Sequence, residues 1–276
     1  MFRITIIPMP VEEDWIFLAG SIGIIIIFEV INLLNAMYNI LFKELYYSYC
    51  NIIKDSRYSK KKYCLMYPCV GEYYRKSKFL FVGRAVNGWN TQFVCNRKNY
   101  SIVIKSIKAS MKEKTRWIED NEKGLNEYYN GNRSRFLKCC SRVLHEVTQK
   151  NIMMDSHWSK HIAWSNLMKI APSKGGNPTD RECYAQLDIC RDLFKLELDL
   201  LKPRFAFIFT GLNWFDNGDF TFVSPLGIKL KFVKDKVVKA IGTYKRTQLI
   251  ITERPDNRRE GFTNDMFVKS FKKYIV

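Results

Sequence analysis

Apolar positions are distributed in two ways along the chain. Between residues 15 and 42 they are nearly continuous, running from Trp15 to Phe28, broken by Glu29, and resuming to Phe42. From Phe79 onward, short apolar runs alternate with stretches at helical spacing. Phe79–Val82 lies between Lys78 and Gly83 and predicts a buried strand. Residues 101–118 predict a helix, and residues 121–132 a polar loop or short helix. Residues 134–150 place Phe136, Leu137, Cys140, Leu144 and Val147 on one helical face. Residues 161–172 predict a strand that gives way to a loop at Asn166. Residues 175–203 predict one helix, with Thr179 and Glu182 spaced as a capping box and Pro203 as its stop. Residues 204–211 predict a second buried strand, 219–242 two or three short β segments, 247–262 a strand with a polar end, and 263–276 a closing helix.

Strands alternating with helices predict an α/β protein, a three-layer α/β/α sandwich with a mainly parallel central sheet. The predicted division is a hydrophobic N-terminal helix over residues 1–45 and an α/β domain over residues 46–276. The N-terminal run is short for a membrane span unless it absorbs Glu29, since a span needs about 20 apolar residues. Three readings of it stand. It is a membrane anchor, contacting lipid through residues 15–42 with the Lys-rich body on the cytoplasmic side; it is a buried helix; or the chain's true start is Met37. Residues 47–78 are basic and aromatic, and read either as a phosphate-contacting segment or as a solvated loop with a few aromatics tucked inward.

In parallel α/β sheets ligands bind beyond the carboxyl ends of the strands. The first predicted strand is followed by Gly83, Arg84, Ala85, Val86, Asn87, Gly88 and Trp89. The second is followed by Ser165, Asn166 and Lys169, and the third by Gly211, Leu212, Asn213 and Trp214. The last leads into Glu253, Arg254, Pro255, Asp256, Asn257, Arg258 and Arg259. Amides, aromatics and cations, with few acids, suit a neutral ring attached to a phosphate chain.

Charge sharpens this picture. The chain of 276 residues carries 45 Lys+Arg against 27 Asp+Glu, a net charge of +18. Such a surplus favours a polyanion, nucleic acid first, although a Lys-, Asn- and Ile-rich composition also arises from base usage in a genome. The eight cysteines form no CxxC pair and follow no secretory cleavage pattern, which predicts reduced thiols in a cytoplasmic protein and no zinc ribbon. Cys64, Cys69, Cys183 and Cys190 have the wrong spacing for a familiar iron–sulfur pattern. His157 and His161, near Asp155, lack an obvious third ligand. No metal or other cofactor is expected.

The order of motifs resembles the uracil-DNA glycosylase superfamily over roughly residues 79–270. "VGRAVNGW" stands where that superfamily carries its Gly-rich catalytic loop. "WSNLMKIAPSKGGNPTD" is similar to a strand-end Asn segment of the iron–sulfur branch, and "LFKLELDLLKPRFAFIFTG" to its helix–Pro–strand–Gly unit. "ERPDNRREGF" stands in place of the DNA-insertion loop. The sequence departs from the superfamily where most active members place a water-activating carboxylate: Arg84 and Ala85 occupy those positions, and Arg254 replaces the insertion-loop His.

The resemblance implies a uracil-DNA glycosylase-like fold and a monomeric DNA glycosylase that flips a uracil or modified base from DNA and hydrolyses its N-glycosidic bond. The setting would be repair or defence against phages with modified DNA bases. It implies a catalytic set of Gly83, Arg84, Asn87 and Arg254, with Asn87 orienting water. It implies base contacts from Ala85, Val86, Trp89 and Asn166, and DNA contacts from Lys169, Asn257, Arg258 and Arg259. Each residue also has a plainer reading: Asn87 as a turn residue before Gly88, Trp89 as a core aromatic, Asn166 as a cap, and the arginines as a solvated loop. Two further functions stay open, a non-catalytic DNA-binding or base-sensing protein on the same scaffold and a nucleoside-processing enzyme.

Overall fold

In the computed structural model, residues 21–53, 60–85, 92–105, 135–148, 158–255 and 264–275 are described. The helices are α1 (Ser21–Ile52), α2 (Tyr74–Ser77), α3 (Arg135–Thr148), α4 (Asp180–Tyr184), α5 (Leu187–Leu201), α6 (Leu212–Phe215) and α7 (Asn264–Lys272). The strands are β1 (Lys62–Leu65), β2 (Cys69–Val70), β3 (Phe79–Ala85), β4 (Phe93–Val94), β5 (Ile162–Met168), β6 (Ile170–Pro172), β7 (Phe205–Ile208), β8 (Asp216–Asn217), β9 (Phe220–Thr221), β10 (Lys229–Phe232), β11 (Val238–Tyr244) and β12 (Thr247–Thr252).

Strand β3 is the hub. Its alternation sends Leu80 and Val82 into one core and Phe79 and Phe81 into another. The first core joins Ala163, Ala206, Ile208, Leu249 and Ile251 of the sheet to Tyr38, Phe42 and Leu45 of α1 and Leu193 and Phe194 of α5. The second joins Phe205, Phe207 and Ile250 to Cys140, Val143 and Leu144 of α3 and Phe267 and Phe271 of α7. The helices therefore cover both faces of the sheet. Each fully buried phenylalanine contributes about 1.5–3 kcal/mol of transfer free energy. A ladder of stacked and edge-on rings, Phe79, Phe81, Phe205, Phe207 and Phe271, holds α7 against the strands.

The seven-stranded sheet has the order β10-β11-β12-β7-β3-β5-β2. Only β12, β7, β3 and β5 pair in parallel. The pairs β10/β11, β11/β12 and β2/β5 are antiparallel, so the sheet is mixed rather than mainly parallel. The cause is local at one edge. Tyr244 pairs with Thr247 across a turn of Lys245 and Arg246, and a hairpin that tight leaves no room for the crossover that parallel strands require. Lys245 takes φ 52° there and its ammonium pairs with Asp199.

Several sequence expectations are corrected. The residue 45/46 boundary falls inside α1, and Tyr38, Phe42, Leu45, Tyr49 and Ile53 are all buried in the main core. Tyr38 and Phe42 of the N-terminal run are thus buried in the core. Among the described residues, no helix is long and apolar enough to cross a membrane. Of residues 47–78, read as a phosphate-contacting segment or a solvated loop, Lys62–Leu65 form β1, which pairs with β4 and β6 and buries Tyr63, Cys64 and Leu65. Of the helix expected over residues 101–118, residues 101–105 are helical and the rest lies outside the described residues, as do residues 121–132.

The single helix expected over residues 175–203 is two. Thr179 and Glu182 form the expected capping box on α4, the chain breaks at Ala185 and Gln186, and α5 follows. Gln186 explains the break. Its side chain accepts from the backbone N–H groups of Lys169 and Ile170 and donates to Ile170 O, tying the helix junction to the β5–β6 bend. Glu182 also receives Lys61 at 2.6 Å and the Tyr63 hydroxyl at 3.0 Å. Burial works to raise its carboxyl, but Lys61 and Thr179 outweigh that and hold it below its ordinary range.

Candidate functional site

The parallel strands lie in the spatial order β5, β3, β7, β12, so the chain winds to one side of β3 and then to the other. The β3/β7 boundary is the point where the winding reverses, which is where α/β sheets generally open a crevice for a ligand. The end of β3 meets the residues that follow β7 there.

Gly83 pairs in register with Asn166 of β5, and Ala85 with Met168. Asn166 therefore lies inside a strand and not in the loop expected at the strand's end. Its amide is buried against Gly83 on one side, with Met66 Sδ accepting from its Nδ2 on the other. A Cβ at Gly83 would stand 2.2 Å from Asn166 Oδ1, so a larger residue there must shift this amide. The same Cβ would stand 3.6 Å from the ring of Phe136, a half-buried residue of α3. Phe136 also packs on Trp164 and Phe209 at ring separations of 5.8 and 5.7 Å. Sequence reasoning placed Phe136 in the core only, since its helical spacing carries no trace of its approach to Gly83.

Arg84 crosses the crevice. Its Nε donates to Thr210 O at 2.5 Å, and its guanidinium lies 5.1 Å from the ring centre of Trp214. Gly211 makes room for it. This glycine has φ +80°, a region that strains other residues, and its N–H donates to Thr252 O. The sequence marks Trp214 only as a residue after a strand; its contact with Arg84 makes it part of the wall. The geometry gives Arg84 a bridging position between the β3 and β7 ends. Ala85 is half-buried beside it. Arg254 follows β12 and is half-buried, and the neighbouring Glu253 pairs with Lys239 at 3.4 Å.

Lys169 is corrected outright as a DNA contact. Its side chain is 0% exposed. Its ammonium donates to Glu197 Oε1 at 2.6 Å, Ser165 Oγ at 2.7 Å and Asn166 O at 2.7 Å, using all three donors. Glu197 in turn accepts from Tyr38 and Ser165, each at 2.7 Å. A phosphate cannot reach this ammonium without dismantling the core. Val86, Asn87 and Trp89 in the first loop, and Asn257, Arg258 and Arg259 in the last, lie outside the described residues.

One further anchor shapes the carboxyl edge. Asp235, in the β10–β11 turn, accepts from Val237 N, Val238 N, Ser270 Oγ and Lys273 Nζ. Burial opposes ionisation, but these four donors prevail and hold the carboxyl down to about 2. Among the described residues, no group of three or more His, Cys, Asp or Glu is arranged to hold a metal ion. Cys64 and Cys69 sit in one small core, and Cys183 and Cys190 in the main one. His161 is buried, and His157 lies outside the described residues. No family model matches the chain, and no curated protein matches it significantly.

Proposed function

We propose that the protein is a DNA glycosylase of uracil-DNA glycosylase-like, three-layer architecture, which accepts a flipped-out uracil or modified base at the β3/β7 crevice and hydrolyses its N-glycosidic bond. The observation that carries the reading is the pairing of Gly83 with the buried amide of Asn166 at the end of the hub strand. An amide offers one donor pair and one acceptor, which is the pattern needed to read a base edge. Here it packs against a glycine whose Cβ would displace it.

The chemistry asks for little covalent work. The base must leave the stack, the sugar must tolerate positive charge, and the departing base must be held as an anion while water enters. Asn166 reads the base and Asn87 orients the water. Ala85, at the end of β3, and Val86 line the base, and Trp89 or Phe136 supplies a stacking face. Arg84 ties the two crevice walls together, and its charge favours electron-rich leaving groups. Arg254, Asn257, Arg258 and Arg259 hold the phosphates and, in the case of Arg254, the departing base. The net charge of +18 suits that partner and exceeds what a small nucleoside requires.

One observation favours a second reading, in which the same site senses a base without cleaving it. Arg84 and Ala85 stand where a water-activating carboxylate is expected, and the nearby Glu253 is engaged by Lys239. Incubation with DNAs carrying uracil, hypoxanthine, hydroxymethylcytosine or glucosylated hydroxymethylcytosine, then alkali cleavage, separates the two. Strand scission that disappears in Asn87→Ala supports the glycosylase; tight binding with no scission on any substrate leaves the sensor.

A further inference from the structure

The sheet order brings to the crevice edge a segment that the sequence presents only as short β structure. Strand β10 is antiparallel to β11, and β11 to β12, so β10 runs in the direction of β12 and its end reaches the same edge. The register makes one continuous row: Phe232, Ala240, Ile251, Ile208, Val82 and Ser165. The β10–β11 turn therefore leaves from the edge that carries Gly83, Arg84, Thr210 and Arg254. It lies three strand spacings from β7 in that order, about 14 Å.

Its surface has an unusual composition. Phe232 is 63% exposed and makes no ring contact among the described residues. Lys229, Lys231, Lys234 and Lys236 are all exposed, and none pairs with a carboxylate among the described residues. Asp235 sits between two of them yet turns inward to Ser270 and Lys273, so it fixes the turn without neutralising its neighbours. Lysines on an edge strand also discourage pairing with another chain. That accounts for Lys229 and Lys231, but not for a bare phenylalanine at the strand's end or for lysines in a rigid turn.

We propose that Phe232, Lys234 and Lys236 form a binding surface for an unpaired nucleic-acid strand that continues from the crevice. The lysines meet successive phosphates and Phe232 offers its face to a base, the combination that binds single strands without sequence preference. The inference rests on the nucleic-acid partner proposed above and is independent of base cleavage.

The test titrates the full chain with fluorescently labelled single- and double-stranded oligonucleotides of one sequence, over a salt series. Wild type is compared with Lys234→Ala/Lys236→Ala, with Phe232→Ala, and with Lys195→Ala, an exposed lysine of α5 paired with Asp199. The double lysine variant is expected to lower the single-strand salt slope by about 1.4. Phe232→Ala is expected to weaken single-strand binding about tenfold, and duplex binding less. Lys195→Ala should change neither. All three sites are exposed, and circular dichroism confirms the fold of each variant.

Wild-type binding that the turn and Phe232 variants leave unchanged overturns the proposal. So does unchanged affinity accompanied by new oligomers on size exclusion, which would assign the lysines to edge protection. Failure of wild type to bind either form removes the partner and this surface together. Binding that depends on these residues, with no base released from any substrate, upholds the surface and removes only the catalytic reading.

Discussion

Replacing Glu197 with Gln tests the core of the structure at its most expensive point. Lys169 is 0% and Glu197 1% exposed, and the Nζ–Oε1 distance is 2.6 Å. The substitution keeps the shape but leaves a buried ammonium with neutral acceptors only. Removing one partner of a buried pair costs about 3–5 kcal/mol, because the other charge stays desolvated. The Tyr38 hydroxyl loses its ionised acceptor at the same time, which loosens α1 from α5. Against a total stability of about 5–15 kcal/mol, that is a large fraction. Urea unfolding followed by tryptophan fluorescence reads the change as a lowered midpoint at constant slope. Lys169→Met should cost about as much, and the double replacement Lys169→Met/Glu197→Leu much less than the sum. A loss below about 1 kcal/mol for Glu197→Gln, or additive losses in the cycle, would refute the reasoning. So would a Lys169→Met variant of full stability whose DNA-binding salt slope falls by about 0.9, since that would restore Lys169 as a phosphate contact.

Other predictions follow from single contacts. Gly83→Ala forces Asn166 or the strand aside, at a cost of about 1–3 kcal/mol by thermal melting, and abolishes base release even where the fold survives. Asp235 has a depressed carboxyl pKa of about 2, so its contribution is complete above the ordinary value of 3.8 and is lost as pH falls through about 2. Asp235→Asn should lower stability by about 1–2 kcal/mol near neutrality and by little below pH 2, in urea titrations at several pH values. The thiols of Cys139 and Cys140 are pushed well up by burial, and burial pushes the Cys183 and Cys190 thiols up to about 12. At pH 8 they should resist iodoacetamide in the native protein and react only in denaturant, as mass spectrometry of labelled peptides would show.

The elements that were legible in the sequence are those specified by neighbours along the chain. Four apolar residues between Lys78 and Gly83 announced β3, and the spacing of Thr179 and Glu182 announced the α4 cap, because both signals are complete within a few positions. The break between α4 and α5 was not legible, since Gln186 makes it by bonding to the β5–β6 bend. Lys169 misled because a lysine after an apolar strand looks solvent-bound. The signal that could have corrected it was Glu197, an acid on the apolar face of α5 that needs a buried cation 28 positions away. At the candidate site, Gly83, Asn166 and Arg84 were named from the sequence, but their relations were not. The Gly83–Asn166 contact and the Arg84 bridge to Thr210 and Trp214 depend on strand register. The surface around Phe232 depended on the direction of β10, which only the order of the whole sheet supplies.

The central claim concerns one bond, and the mass of the intact oligonucleotide reports it directly. Each modified single- and double-stranded DNA is incubated with the full chain and weighed without alkali treatment. Hydrolysis of the N-glycosidic bond predicts one substrate whose mass falls by that of its base and rises by that of one water, with the free base recovered in equal amount. An unchanged mass for every substrate, under conditions where the protein holds that DNA, would contradict the account.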